Sequence, residues 1–428
     1  MSGVASRESP TMSWTMMATL MSTVFTVSIG YGVVLPLLPY LIEKLLGAGT
    51  GPAQVSRHTG LLSGMYTLAL FLFAPAWGRL SDHHGRRRVL LVGLFGFGVT
   101  TLAFALVENL TALYVERFLS GVFAAAVTPV AAAAVGDFAP TEQGRVRRLT
   151  IISMAGIAGF LLGPILGVSI TRWAASLFPT LPAGSIAIAL AASGLLALLV
   201  GIVVAFAVPS RVGQETSAPA AKSSVRRDAA IVPRLLALTF IVSAGVGVFE
   251  VGLALRGKQE LGLTPYQIAL MFTECSLVMF VMQAIVFSPR VKPAMTRWLI
   301  APALTVLAGG LLLVPRASGF VLMLTVIGAV AASAGILSPI LTYWISSKAG
   351  RAQGWELGKQ TAASSLGVTL GSGVGGLLFN LADFRGAGFI LMAGLTAIGV
   401  GLSLALPRRL VAADSGRNGT VSSGRVKT

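Results

Sequence analysis

Twelve apolar runs, each close to the length of one bilayer crossing, leave a chain of this kind very few ways to fold. They lie at 14–41, 59–80, 88–107, 110–136, 149–171, 184–207, 233–254, 265–288, 298–314, 319–345, 357–381 and 386–406. About 20 residues of α-helix cross the ~30 Å hydrocarbon layer. Lipid offers no water to free backbone N–H and C=O groups, so each run has to satisfy them within a helix. None of the runs alternates as barrel strands do. Composition agrees: of 428 residues, 55% are hydrophobic and 11% charged, and the mean hydropathy of +0.83 lies outside the range of soluble domains. The expectation is an all-α membrane protein with twelve transmembrane helices.

An even number of crossings puts both termini on one side, and basic residues say which. Of the 32 Lys and Arg residues, Arg117 lies inside a span, 24 lie in the termini and even-to-odd loops, and 7 lie in the opposite loops. The side richer in Lys and Arg is cytoplasmic, which predicts cytoplasmic termini and an inner (cytoplasmic) membrane location. The same asymmetry explains the net charge of +17 through topology and affinity for anionic membrane lipids, so no nucleic-acid partner is expected. The first run is too long for a signal-peptide core and is expected to stay uncleaved. The single cysteine, Cys275, lies mid-span, so no disulfide is expected. His58, His83 and His84 lie at span ends or in loops, so neither a metal nor a cofactor is expected.

Residues 208–232 are rich in Ser, Ala, Pro and Arg, without apolar periodicity, and read as a cytoplasmic linker. They separate an N-terminal six-helix bundle at 1–207 from a C-terminal one at 233–409, followed by a flexible tail at 410–428. The halves repeat. Gly159, Gly163 and Gly167 of span 5 match Gly367, Gly371 and Gly375 of span 11; Ser28–Val33 (SIGYGV) matches Ser243–Val248 (SAGVGV); MYT at Met65 matches MFT at Met271. Each pair relates a span to the one six further on, which argues for duplicated, pseudo-symmetric bundles.

The segment GRLSDHHGRRRVL, Gly78 to Leu90, sets Asp82 and two glycines in a dense basic cluster. It resembles the loop between helices 2 and 3 of the major facilitator superfamily, with Gly78, Leu80, Ser81, Asp82, Gly85, Arg86 and Arg87 in register and His83 where a permanent cation is usual. Span 4, LYVERFLSGVFAAA, is similar to the superfamily's Arg-bearing element through Arg117 and Gly121. Span 5 looks like the antiporter signature of its exporters, matched by Gly159, Gly163, Pro164 and Gly167, with Val168 replacing a final glycine. Within the superfamily the chain most resembles twelve-helix drug:proton antiporters, tetracycline exporters among them.

The resemblance implies two pseudo-symmetric bundles that rock around a central site. It implies a functional monomer that exports a small amphipathic organic substrate in exchange for protons. A dedicated exporter of a sugar, amino acid, siderophore or lipid fits the same features. A membrane-embedded enzyme lacks an HExxH motif, and a passive channel has no use for a rocking repeat. No ATP site is implied, since no GxxxxGK[ST] motif occurs. Asp82 is expected to pair with Arg86, Arg145 or Arg148 in a cytoplasmic latch that locks the two bundles together, holds the outward-open state and also draws in Asp137. Intramembrane charge is costly and marks function, which selects Arg117, Glu250 and Glu274 as proton-coupling or relay groups. By the repeat the two acids stand where the first half has Leu35 and Leu68. Glu274 is expected near mid-membrane as the coupling acid, and Glu250 nearer the outer end, where water exposure explains it more simply.

Overall fold

The computed structural model describes residues 12–47, 49–138, 142–177, 186–209, 231–286, 288, 291, 295–348, 353–381, 384, 386–404 and 406. Its elements in chain order are α1 (Trp14–Val34), α2 (Leu38–Leu46), α3 (Pro52–His84), α4 (Arg86–Ala103), α5 (Leu110–Ala124), α6 (Val127–Asp137), α7 (Glu142–Leu177) and α8 (Ile186–Ala207). The second half supplies α9 (Ile231–Gln259), α10 (Pro265–Val286), α11 (Thr296–Leu313), α12 (Phe320–Lys348), α13 (Gln353–Leu377) and α14 (Ala387–Leu404). No strand occurs among the described residues.

Ten segments among these residues are long and apolar enough to cross a membrane. The two remaining expected spans correspond to α4, which opens on three arginines, and α13, which carries Glu356, Lys359 and several Ser and Thr residues. Exposed apolar side chains such as Leu195, Leu199, Ile202 and Phe206 form the outer surface of α8, the pattern of a lipid-facing helix. Trp14, Trp173 and Trp298 are exposed near helix ends, where amphipathic rings suit the membrane interface.

Helix ends follow local chemistry. The Ser13 hydroxyl caps α1 by accepting from Met16 N at 3.2 Å, and Asn109 caps α5 by accepting from Ala112 N at 2.9 Å. The expected first span breaks at Leu35–Leu37 because Pro36 and Pro39 lack the N–H that a continuing helix needs; span 4 breaks before α6, where Pro129 meets the same limit. Of the segment Gly78–Leu90, expected as loop, Gly78–His84 is instead the last two turns of α3 and Arg86–Leu90 opens α4. Polar residues beyond the apolar run keep their helical hydrogen bonds in interfacial water, and the turn is reduced to Gly85 at φ +91°.

The repeat is visible in the packing. A Cβ on Gly159 would strike Phe25 O and Ser28, on Gly163 Ile29 O, and on Gly167 Val33; in the second half, Gly367 meets Phe240 O and Ser243, Gly371 meets Ala244 O, and Gly375 meets Val248. Each second-half partner is 215 residues beyond its counterpart. α1 therefore crosses α7 as α9 crosses α13, with small residues letting the backbones touch. Between the halves, α3 packs on α13 and α10 on α7. Thr67 Oγ1 and Thr369 Oγ1 share a hydrogen bond of 2.8 Å across the first seam, and Thr273 Oγ1 donates to Leu161 O at 3.4 Å across the second.

Candidate functional site

A cavity of ≈ 250 Å³ lies where these helices converge. One wall is aromatic. The Tyr31 ring of α1 stacks on Tyr66 of α3 with centroids 5.0 Å apart, and on Phe160 of α7 at 5.8 Å. Ser364 and Ser365 of α13 also line the cavity, and Ser28, Thr67 and Thr128 add hydroxyls. Glu250 of α9 is the one charged residue in the lining among the described residues. The Tyr31 hydroxyl donates to its Oε2 at 3.1 Å, so a first-half phenol holds a second-half carboxylate in the cavity lining. An aromatic slot with one carboxylate and several hydroxyls can accept a flat apolar body and pair with a cationic or hydrogen-bond-donating group.

Arg117 is buried but does not line the cavity. Its Nε and Nη2 donate to Glu116 Oε2 and Oε1 at 2.6 and 2.9 Å, a bidentate pair between neighbours on one helix. The guanidinium is flanked by the Phe104 ring at 5.3 Å and the Tyr66 ring at 6.0 Å. Arg117 thus reaches the cavity only through Tyr66. Sequence spacing shows that Glu116 and Arg117 cannot both face inward; that they bind each other depends on rotamers and on the apolar packing around them.

Glu274 is half-buried on α10, with Oε1 3.7 Å from where a Cβ on Gly328 of α12 would lie. It is not in the cavity lining, and its Oε2 accepts no hydrogen bond among the described residues. Of the two acids, Glu250 rather than Glu274 stands in the cavity, the reverse of their expected emphasis. Depth along a helix is legible in sequence, whereas the rotation that aims a side chain inward is set by helix packing.

The basic motif builds a cluster at the expected cytoplasmic end. Arg86, buried at the start of α4, pairs through Nη1 with Asp82 Oδ1 at 2.5 Å and donates through Nε to Asp137 Oδ2 at 3.1 Å. It therefore ties together the ends of α3, α4 and α6, all three in the first half, so these ion pairs brace one bundle rather than lock the two together as expected: the acids nearest Arg86 are supplied by its own half. Arg148 donates to Phe138 O at 2.9 Å, fixing α7 to the end of α6. Arg87 is half-buried, and the side chain of Arg145 lies outside the described residues. A Cβ on Gly78 would meet nothing within 4 Å, whereas Gly85 holds a backbone conformation with φ +91° and ψ 144°. Gly85→Ala is therefore expected to cost about 1–3 kcal/mol, and Gly78→Ala to stay within about 0.5 kcal/mol. Thermal unfolding of the purified variants in detergent measures both; equal melting temperatures would contradict the strain argument.

Sequence reasoning missed Phe160, Thr128, Ser364 and Ser365. Tyr31 and Glu250 carried one usable signal: each departs from its repeat twin, Val246 and Leu35 respectively.

The family model described as "Major Facilitator Superfamily" matches residues 20–356. The chain is 27% identical over 386 residues to multidrug resistance protein 2 of Bacillus subtilis (strain 168), covering 88% of this chain and 92% of that protein. It is 24% identical over 360 residues to quinolone resistance protein NorA of Staphylococcus aureus, covering 84% and 88%. The crystal structure of the human organic anion transporter MFSD10 (TETRAN) superposes with a TM-score of 0.71 at 19% identity, over 91% of this chain and 99% of that one, which shows the same fold.

Proposed function

The chain belongs to the Major Facilitator Superfamily, and from that premise we propose that it is a secondary active transporter exporting a small amphipathic organic compound in exchange for protons. Members of this superfamily are transporters rather than enzymes. The relatives named for multidrug and quinolone resistance support export of drug-like compounds. In this reading the chain crosses the inner membrane twelve times with both termini in the cytoplasm. Residues 1–207 and 233–409 are the two rocking bundles, 208–232 is the linker and 410–428 the tail, and the protein works as a monomer.

The observation that carries the proposal is the hydrogen bond to Glu250 from Tyr31, whose ring is part of the aromatic stack. A carboxylate that is the one charged group lining the cavity among the described residues binds either a proton or a substrate group, and that exclusion is what couples two fluxes. Glu274, outside the cavity, is a second carboxyl available to protons, and Arg117 acts through Tyr66. The Asp82–Arg86–Asp137 cluster, with Gly78, Gly85 and Arg87, braces the cytoplasmic end of the first bundle and supplies that bundle's side of the cytoplasmic gate. Gly159, Gly163, Pro164 and Gly167 supply the tight α1–α7 crossing that keeps the first bundle rigid as it rocks.

The test uses inside-out vesicles containing the protein, an imposed proton gradient and a pH-reporting dye, to which cationic, zwitterionic and neutral compounds are added in turn. Compounds that dissipate the gradient only when the protein is present are expected among the amphipathic ones. Silence across the panel, together with gradient-dependent movement of sugars, amino acids or lipids, would replace drug export with metabolite export.

A further inference from the structure

Glu43 and Lys258 are twins: the offset of 215 residues that maps Ser28–Val33 onto Ser243–Val248 also maps Glu43 onto Lys258. In the fold they meet. The Lys258 ammonium pairs with the Glu43 carboxylate, donates to Pro39 O at 3.0 Å, and stands 4.7 Å over the Tyr40 ring. Equivalent residues of a duplicated fold can touch only near the pseudo-twofold axis, so this contact sits at the centre of the face opposite the proposed cytoplasmic one. Opposite charges at the twin positions turn a place where identical residues would repel into an attraction between the halves.

Other contacts surround the pair. The Tyr40 hydroxyl donates to Leu263 O at 2.5 Å. Gln259 Nε2 donates to Ser56 Oγ and Pro52 O, each at 3.1 Å, and Asn380 Nδ2 donates to Ser56 Oγ at 2.6 Å and Gln259 Oε1 at 3.0 Å. One turn away, a Cβ on Gly60 or Gly376 would lie 2.6 Å from the other's Cα. On the other seam, the Arg172 guanidinium lies 4.8 Å over the Tyr266 ring. The second-half partner is held firmly in place. α9 closes on Gly262 at φ +59°, and Thr264 and Gln267 form a reciprocal capping box at the start of α10.

We propose that these contacts, centred on Glu43 and Lys258, are an outer latch that holds the halves closed toward the extracytoplasmic side and separates whenever the cavity opens outward. Its members suit that task. Glu43 is half-exposed, so its ion pair is weak on its own, and a seam of several weak contacts closes firmly yet reopens in each cycle. The latch depends on neither the identity of the substrate nor proton coupling.

The test reads accessibility rather than transport. Thr128 lines the cavity, so a Thr128→Cys, Cys275→Ser protein in right-side-out vesicles reports outward opening through its labelling by a membrane-impermeant maleimide. Glu43→Lys and Lys258→Glu should each speed labelling about threefold or more. The double exchange, Glu43→Lys with Lys258→Glu, should slow labelling well below either single variant without reaching the parent rate, because it restores the ion pair but not the Lys258 contacts with Pro39 O and the Tyr40 ring. Single variants labelled at the parent rate, or a double exchange labelled as fast as the singles, would overturn the proposal.

Discussion

Glu250→Gln is expected to abolish the proton dependence of transport and to weaken binding of a cationic compound about 10–100-fold. Glutamine preserves the shape of the side chain and can still accept from Tyr31, whose hydroxyl lies 3.1 Å from the carboxylate. What it loses is the charge and the exchangeable proton. A hydrogen bond to a charged group is worth about 1.5–3 kcal/mol, and each ~1.4 kcal/mol is tenfold in affinity. The prediction separates ligand classes: a neutral compound that relies on Tyr31, Tyr66 and Phe160 should lose far less. Equilibrium binding to purified protein, alongside the vesicle assay at several pH values, reads both parts. Full proton coupling in Glu250→Gln and its loss in Glu274→Gln would move the coupling site to the α10–α12 face, where Glu274 stands against Gly328.

The second large effect lies in the packing. A Cβ at Gly163 would stand 2.8 Å from Ile29 O and 3.1 Å from Gly32 Cα, and backbone atoms cannot swing aside as side chains do. Gly163→Val should therefore push α1 from α7 and destabilise the protein by about 1–3 kcal/mol or more. Its twin Gly371, against Ala244 O, should behave alike. Gly309, with nothing within 4 Å of its added Cβ, is the control: Gly309→Ala should be neutral or slightly stabilising, since alanine favours helix. Thermal aggregation in detergent ranks the variants. Equal behaviour of Gly163→Val and Gly309→Ala would show that the α1–α7 crossing yields more easily than its geometry implies.

These glycines illustrate what spacing along a chain makes legible. Their fourfold interval recurs in both halves, and the fold uses it twice for the same purpose, because a small residue every four positions leaves a groove along one face of a helix. Local chemistry was less transparent at helix ends. The loop expected over Gly78–Leu90 shrank to Gly85, since hydropathy reports where lipid ends rather than where backbone hydrogen bonding does. Prolines likewise carried unequal weight: Pro36 and Pro129 accompany breaks, whereas Pro75 and Pro164 stay inside α3 and α7, where neighbouring helices hold the chain on course.

From the sequence alone came the helical class, the repeat, the superfamily resemblance and a short set of intramembrane charges, all of them consequences of local composition and spacing along one chain. Tertiary structure alone decided which charges share a space. Tyr31 and Glu250 lie 219 residues apart, Glu43 and Lys258 meet across the axis of the duplication, and Arg117 turns from the cavity to its own neighbour. The reason is physical: a helix's hydropathy sets its depth in the membrane, but its rotation is set by the close contact of small residues with partner helices far away in sequence. That rotation determines whether a carboxylate meets a substrate, a proton or another side chain.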